Sequence, residues 1–276
     1  MEATQDNGPF GLIAGNGAYP ATMVRAARAA GETKLTVVAF ENETDPALAA
    51  VVDEMEWMRV GQLARMCKFF KVRGVRRAVM VGQIAPKNLF DLRPDFRALA
   101  VLARTPKRNA ESLFGGIADE LAKDGVHLLP ATTYLDSLMP GAGYQAGASF
   151  KPRKREDLAY GYAIAKEMSR LDVGQTVIVR NGTVLAVEAF EGTNEAIKRG
   201  GALGRKESVM VKVSKPGQDM RFDVPVIGRQ TLKVAAEAGV TIIGFEAGKT
   251  LLLEKELVEQ DARELKISLV ALSGTL

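Results

Sequence analysis

Short apolar runs separated by stretches of helical periodicity narrow the fold of this chain more than any other feature. Phe10-Gly11-Leu12-Ile13-Ala14 and residues 34–40, 77–82 and 126–129 have the length of strands, and residues 21–30, 61–72, 97–104 and 111–123 between them carry a helical pattern. Apolar strands that alternate with helices predict α/β architecture with a mostly parallel sheet, whose ligands lie beyond the carboxyl ends of its strands. Two loops occupy that end: Gly15-Asn16-Gly17, which runs into Pro20 and a helix, and Gly82-Gln83, which continues as Ile84-Ala85-Pro86-Lys87. Backbone N–H groups at such a helix start can cradle a phosphate, and the same glycines can equally make a tight turn. NAD is a poor ligand here, since Pro20 stands where the dinucleotide fingerprint has its third glycine and no acidic residue ends the strand at Phe40.

The strongest breaker cluster is Pro140-Gly141-Ala142-Gly143-Tyr144-Gln145-Ala146-Gly147, which predicts a linker over 136–150. It separates an N-terminal Rossmann-like parallel sheet in 1–135 from a mixed α/β domain in 151–276. In the second domain residues 155–171 read as a helix, and 176–180 and 183–187 as a hairpin, because Asn181-Gly182 supplies the positive φ angles of a type I′ turn. The second strand of that hairpin runs into Glu188 and Glu191, candidates for metal or sugar contact, and then into a helix around 197–199 that Thr193 or Asn194 can cap. A strand over 209–213, a helix over 231–239, a strand over 241–245, a helix over 251–265 and a strand over 267–272 complete the chain.

Residues 215–228, Lys215-Pro216-Gly217-Gln218-Asp219-Met220-Arg221-Phe222-Asp223-Val224-Pro225-Val226-Ile227-Gly228, hold the candidate chemistry. Two prolines and two glycines break a helix, so the segment is extended or looped. On an extended backbone Asp219, Arg221 and Asp223 share one face, with Met220, Phe222 and Val224 on the other. Two carboxylates suit a hard cation and an intervening Arg suits a phosphate.

Composition removes the competing chemistries. One cysteine, Cys67, excludes an internal disulfide and a cysteine-rich zinc site, and its apolar helical neighbours make it a core residue. One histidine, His127, excludes multi-His zinc sites, and its short apolar strand gives it a structural reading. A hydrolase would then depend on carboxylates and an oxygen-liganded Mg²⁺ or Mn²⁺. A net charge of +4 and a pI near 9.1 favour anionic partners. Aromatic residues are only 6% of the chain and the basic residues are scattered, which argues against nucleic acid. No apolar run approaches the ~20 residues of a membrane span, and the first residues lack a signal-peptide pattern, so a cytosolic protein is expected.

Gly11-Leu12-Ile13-Ala14-Gly15-Asn16-Gly17, Val81-Gly82-Gln83-Ile84, Leu171-Asp172-Val173-Gly174-Gln175-Thr176-Val177, Ala186-Val187-Glu188-Ala189-Phe190-Glu191-Gly192-Thr193 and residues 215–225 together, in this order, resemble the UDP-2,3-diacylglucosamine pyrophosphatase family of the LpxI type. The resemblance spans nearly the whole chain. It implies Mg²⁺-assisted hydrolysis of UDP-2,3-diacylglucosamine to UMP and 2,3-diacylglucosamine 1-phosphate (lipid X) in lipid A biosynthesis. It also implies a Gram-negative source and a peripheral, transient contact with the inner face of the inner membrane; a homodimer is left open. Residues and resemblance together assign Asp223, Asp219 and Arg221 to catalysis, and Asp223, Asp219 and Glu188 to the metal. Gly15, Asn16, Gly17, Gly82, Gln83, Lys215, Gln218, Glu191, Thr193 and Asn194 fall to the substrate. Asn194 stands where the family pattern leads one to expect Asp, and a neutral amide is the weaker Mg²⁺ ligand. Two rivals are a nucleotide-sugar-binding regulator without chemistry, which would gain nothing from paired carboxylates, and a sugar-nucleotide transferase, which would use the same contacts and exclude water.

Overall fold

A computed structural model describes residues 8–84, 94–105 and 110–274. Residues 85–87 of the second loop lie outside this set. The chain forms two compact units: one runs to Tyr134 and includes Asp219–Asp223, and the other comprises Leu135–Gln218 and the chain from Val224 onward.

The N-terminal unit contains β1 (Phe10–Ala14), α1 (Tyr19–Ala29), β2 (Leu35–Phe40), β3 (Glu54–Met58), α2 (Leu63–Val72), β4 (Arg77–Val81), α3 (Phe96–Arg104), α4 (Ala110–Lys123) and β5 (His127–Leu128). Its sheet is parallel throughout, in the order β3-β2-β1-β4-β5. Every residue of β1 is buried, as a central strand covered on both faces requires. Strand order reverses between β1 and β4, so the crevice at their carboxyl ends is the expected ligand position. Helix α1 buries Tyr19, Met23, Val24 and Ala27 at helical spacing and stops before Gly31, whose φ of 96° continues no helix. Under the sheet, Ile13, Val38, Met58, Cys67, Phe70 and Leu121 pack into one core, each large apolar side chain contributing about 1.5–3 kcal/mol. Cys67 is thus the core residue its neighbours predict. Strand β3 is an addition to the sequence reading: its Glu54-Met55-Glu56-Trp57-Met58 alternation fits an edge strand, with Glu54 and Glu56 paired to Arg73 and Arg65.

The C-terminal unit contains β6 (Gln145–Gly147), α5 (Lys154–Arg170), β7 (Thr176–Arg180), β8 (Thr183–Val187), α6 (Thr193–Gly204), β9 (Ser208–Lys212), β10 (Val226–Ile227), α7 (Arg229–Glu237), β11 (Val240–Glu246), β12 (Leu251–Leu252), α8 (Lys255–Glu264) and β13 (Ser268–Leu272). The order β6-β13-β11-β9-β7-β8 is mixed: β9, β11 and β13 are parallel, and β6, β7 and β8 pair antiparallel. Period-2 alternation splits its side chains into two cores: Ile178, Met210, Ile243 and Phe245 on one face, Val177, Val179, Val209, Val211 and Ile242 on the other.

The hairpin forms as its turn residues require, with Asn181 at φ 49° and Gly182 at φ 71°. Buried Asp157 accepts both turn N–H groups, from Asn181 at 3.1 Å and Gly182 at 2.8 Å, and pairs with buried Lys154. Three expectations are corrected. Part of the linker over 136–150 is strand β6, which pairs with β13 and so belongs to the second sheet. Helix α6 extends well beyond 199, because Gly200 and Gly201 let it close on Ile178 and Ala238, where a Cβ would lie within 2.6 Å; its N-cap is Gly192, and Thr193 is already helical. Residues 251–265 divide into β12 and α8.

Candidate functional site

At the carboxyl ends of β1 and β4 the two glycine loops meet. Asn16 and Gln83 form an antiparallel bridge, with the Asn16 N–H donating to the Gln83 carbonyl at 2.8 Å and the Gln83 N–H to that of Asn16 at 3.3 Å. A Cβ on Gly15 would stand 2.5 Å from the Gln83 oxygen, and one on Gly82 2.8 Å from the Asn16 oxygen. Both glycines are therefore set by the close approach of two backbones. Gly17 differs: its φ is 86° and a Cβ there would meet nothing.

Two residues beside this loop escaped the sequence reading. Buried Glu43 accepts a hydrogen bond from Asn16 Nδ2 at 2.5 Å. Buried Thr44 receives the Phe40 N–H at 2.8 Å and donates to the Ala14 carbonyl at 2.5 Å, tying the ends of β1 and β2 together. No acid ends the strand at Phe40; the acid that reaches the loop, Glu43, lies three residues beyond it. A Glu in the turn after the second strand was the available signal.

The segment Asp219–Asp223 belongs to the same unit. The Met220 carbonyl accepts the Ala131 N–H at 2.7 Å, and the Ala131 carbonyl accepts the Tyr19 hydroxyl at 2.7 Å, so the segment is fastened near the start of α1. Its backbone corrects the extended-strand expectation. Phe222 and Asp223 donate their N–H groups back to the Asp219 carbonyl at 3.2 and 3.0 Å, which closes a turn. The Asp219 side chain dictates this: it accepts the Arg221 N–H at 3.0 Å, as Asp does in local turns, and the Arg221 guanidinium through Nε and Nη2, the latter at 2.6 Å. Asp219, Arg221 and Asp223 are therefore not three groups on one pleated face. Asp219 and Arg221 form an ion pair inside the turn, and Asp223 follows it. Hydrogen bonds from the Arg221 guanidinium hold the Asp219 carboxyl below the ordinary carboxylate range, against the opposing pull of burial. The Arg221 guanidinium also lies 5.7 Å from the Phe222 ring, which packs on Phe114 of α4 with centroids 5.6 Å apart.

The remaining candidates lie in the C-terminal unit. Glu188 accepts the Thr193 hydroxyl at 2.7 Å, Lys212 Nζ reaches that hydroxyl at 2.9 Å, and the second Glu188 oxygen is buried without a hydrogen bond. Glu191 is exposed and bound to Arg199. Asn194 is exposed at the start of α6. Gln218 accepts the Lys215 N–H at 2.6 Å, and Lys215 Nζ pairs with Asp172 at 2.8 Å. His127 lies on β5 opposite Arg77. A cluster around buried Glu246 and Ser214, not anticipated from sequence, stands at the carboxyl ends of β9 and β11: Glu246 accepts the Ser214 N–H and hydroxyl, both at 2.8 Å, and hydrogen bonds from the ammonium groups of Lys166 and Lys249. These four positions are scattered along the chain and had no local pattern.

Family models of the LpxI N-terminal domain and the LpxI C-terminal domain match residues 9–138 and 141–270. The chain belongs to the LpxI family. It is 30% identical over 267 residues to UDP-2,3-diacylglucosamine pyrophosphatase LpxI of Caulobacter vibrioides, covering 93% of this chain and 94% of that protein. Among solved structures, gox2253 is 11% identical over 98% of this chain and 90% of that chain with a TM-score of 0.32. The biotin carboxylase subunit of pyruvate carboxylase is 14% identical over 66% and 38% with a TM-score of 0.26. Overlaps that low carry no argument about fold or function.

Among the described residues no three of His, Cys, Asp and Glu cluster as a preformed metal cage. Mg²⁺ does not need one, because it keeps several waters and takes one or two carboxylates together with substrate phosphate oxygens. Asp219 and Asp223, on one turn, meet that minimum, and a carboxylate paired with Arg retains lone pairs for a cation.

Proposed function

We propose that this LpxI-family chain hydrolyses the pyrophosphate of UDP-2,3-diacylglucosamine to UMP and 2,3-diacylglucosamine 1-phosphate, with Mg²⁺ bound, as a step of lipid A biosynthesis. The observation that carries this is the identity, along nearly the whole of both chains, to a relative named for that activity. The Asp219–Asp223 turn supports it with suitable chemistry. Arg221 is held in one orientation by Asp219, and Asp219 engages only its Nε and Nη2. A guanidinium fixed in this way meets the developing charge on a pyrophosphate without reorganising. Asp223 would hold the cation, with Asp219 beside it, and receive the proton of the attacking water. Mg²⁺ would supply charge neutralisation and a more acidic water. Backbone N–H groups of Gly17 and the start of α1 would bind a phosphate, and Glu43, through its contact with Asn16, would accept a ribose or uracil donor. Within the C-terminal unit, Glu188 and Gln218 each keep a buried polar atom without a hydrogen bond, suited to a polar ligand group.

An acylated substrate implies work at the inner leaflet of a Gram-negative inner membrane, from the cytoplasmic side; no described helix is long and apolar enough to cross a membrane. The test is release of UMP from UDP-2,3-diacylglucosamine in the presence of Mg²⁺, with UDP-N-acetylglucosamine as the acyl-free control. No UMP from a folded preparation sinks the proposal.

A further inference from the structure

Helix α3 exposes an apolar stripe that the proposed chemistry does not use. Phe96 is 73% and Leu99 54% exposed, three residues apart on one face. The opposite face is committed to the protein: Val101 is buried, and a Cβ on Gly116 of α4 would lie 2.6 Å from its Cγ1, so α3 and α4 are closely apposed. Asp95, at the start of α3, is engaged in capping, accepting the N–H groups of Arg97, Ala98 and Ala64.

Charge around this stripe is sorted by depth. Lys71 of α2 pairs with Asp124, and Arg104 and Lys123 pair with Glu120. In these pairs the Lys71 and Arg104 side chains are 64% and 69% exposed, whereas those of Asp124 and Glu120 are only 10% and 9% exposed. The cations face outward and the acids lie beneath them. Val72, beside Lys71, adds a further exposed apolar side chain. A nine-residue helix is about 14 Å long, so this stripe falls well short of the ~800 Å² per partner that a stable protein interface buries. Protruding apolar side chains, with outward cations on the same helix and on α2 and α4, match the boundary between headgroups and acyl chains of an anionic bilayer.

We propose that the α3 face of the N-terminal unit docks on anionic phospholipid bilayers, with Phe96 and Leu99 entering the acyl boundary and Lys71, Arg104 and Lys123 lying over the phosphates. The pyrophosphatase reading supplies only the reason for a bilayer partner, and the test uses no substrate, so either can fail alone. Co-sedimentation with vesicles of phosphatidylcholine and phosphatidylglycerol is compared with pure phosphatidylcholine. Wild type should bind the anionic vesicles more tightly and lose this binding in high salt. Phe96→Ser/Leu99→Ser should weaken binding by about tenfold or more, and Lys71→Gln and Arg104→Gln by about fivefold each. The Gln variants leave Asp124 with Arg97 and Glu120 with Lys123. If the serine pair lowers thermal stability, Phe96→Ala/Leu99→Ala keeps helix propensity and gives the same comparison. Equal binding by wild type and the double variant, or indifference to phosphatidylglycerol, overturns the proposal. So does a change of oligomeric state in the double variant, which would make the stripe an interface between copies.

Discussion

Gly15→Ala tests whether the loop glycines serve backbone approach or phosphate binding. The new Cβ would sit 2.5 Å from the Gln83 oxygen and 2.8 Å from its nitrogen, closer than real Cβ contacts allow, so the ends of β1 and β4 must part. Both hydrogen bonds of the Asn16–Gln83 bridge then weaken or break, at roughly 0.5–1.5 kcal/mol each. Residual crowding adds about 1–3 kcal/mol, so a total of roughly 2–6 kcal/mol is expected. Gly17→Ala is the control: with a φ of 86° and an empty surround, it should cost only about 1 kcal/mol. Trp57, the chain's one tryptophan, lies on β3 of the same sheet, so urea unfolding followed by its fluorescence reports this unit. If Gly15→Ala is no more destabilising than Gly17→Ala, the close approach is not what selects glycine at position 15.

Burial pushes the Glu246 carboxyl upward, but hydrogen bonds from Lys249, Ser214 and Lys166 outweigh it and leave the group below the ordinary Glu range. A depressed pKa contributes stability that is present above the unfolded value of about 4.3 and is lost as pH falls through the folded value; urea midpoints by circular dichroism should therefore drop more steeply below pH ~5 in wild type than in Glu246→Gln, and parallel curves would count against it. His127→Ala should keep most turnover if it folds, and loss of several orders of magnitude would restore histidine as an acid or base. Chelation of divalent cations should abolish turnover and Mg²⁺ should restore it; full activity after verified metal removal would rule out the cation.

Periodicity made much of the fold legible, because burial imposes it directly: β1 is apolar through its length since it is covered on both faces, and Asn181-Gly182 turns the hairpin since few other residues accept two positive φ angles. Edge strand β3 and strand β6 were harder to see, the first because its acids are satisfied by Arg73 and Arg65 across the fold, the second because β13, more than a hundred residues away, pairs with it. At the candidate site the residue types were readable and their geometry was not. Alternation of Asp219, Arg221 and Asp223 has the period of a strand, yet Asp219 bonds to the backbone and side chain two residues on and folds the segment into a turn. The role of Glu43 is not local, because it depends on a contact with Asn16, twenty-seven residues earlier.

The most direct test of the Asp219–Asp223 turn as the seat of chemistry is the single-turnover rate of Asp223→Ala with UDP-2,3-diacylglucosamine already bound. Thermal stability and substrate affinity should stay near wild type while the rate falls by about 10²-fold or more, as when an interaction made only in the transition state is removed. A wild-type rate in the Asp223 variant would contradict the account and move the chemistry elsewhere in the chain.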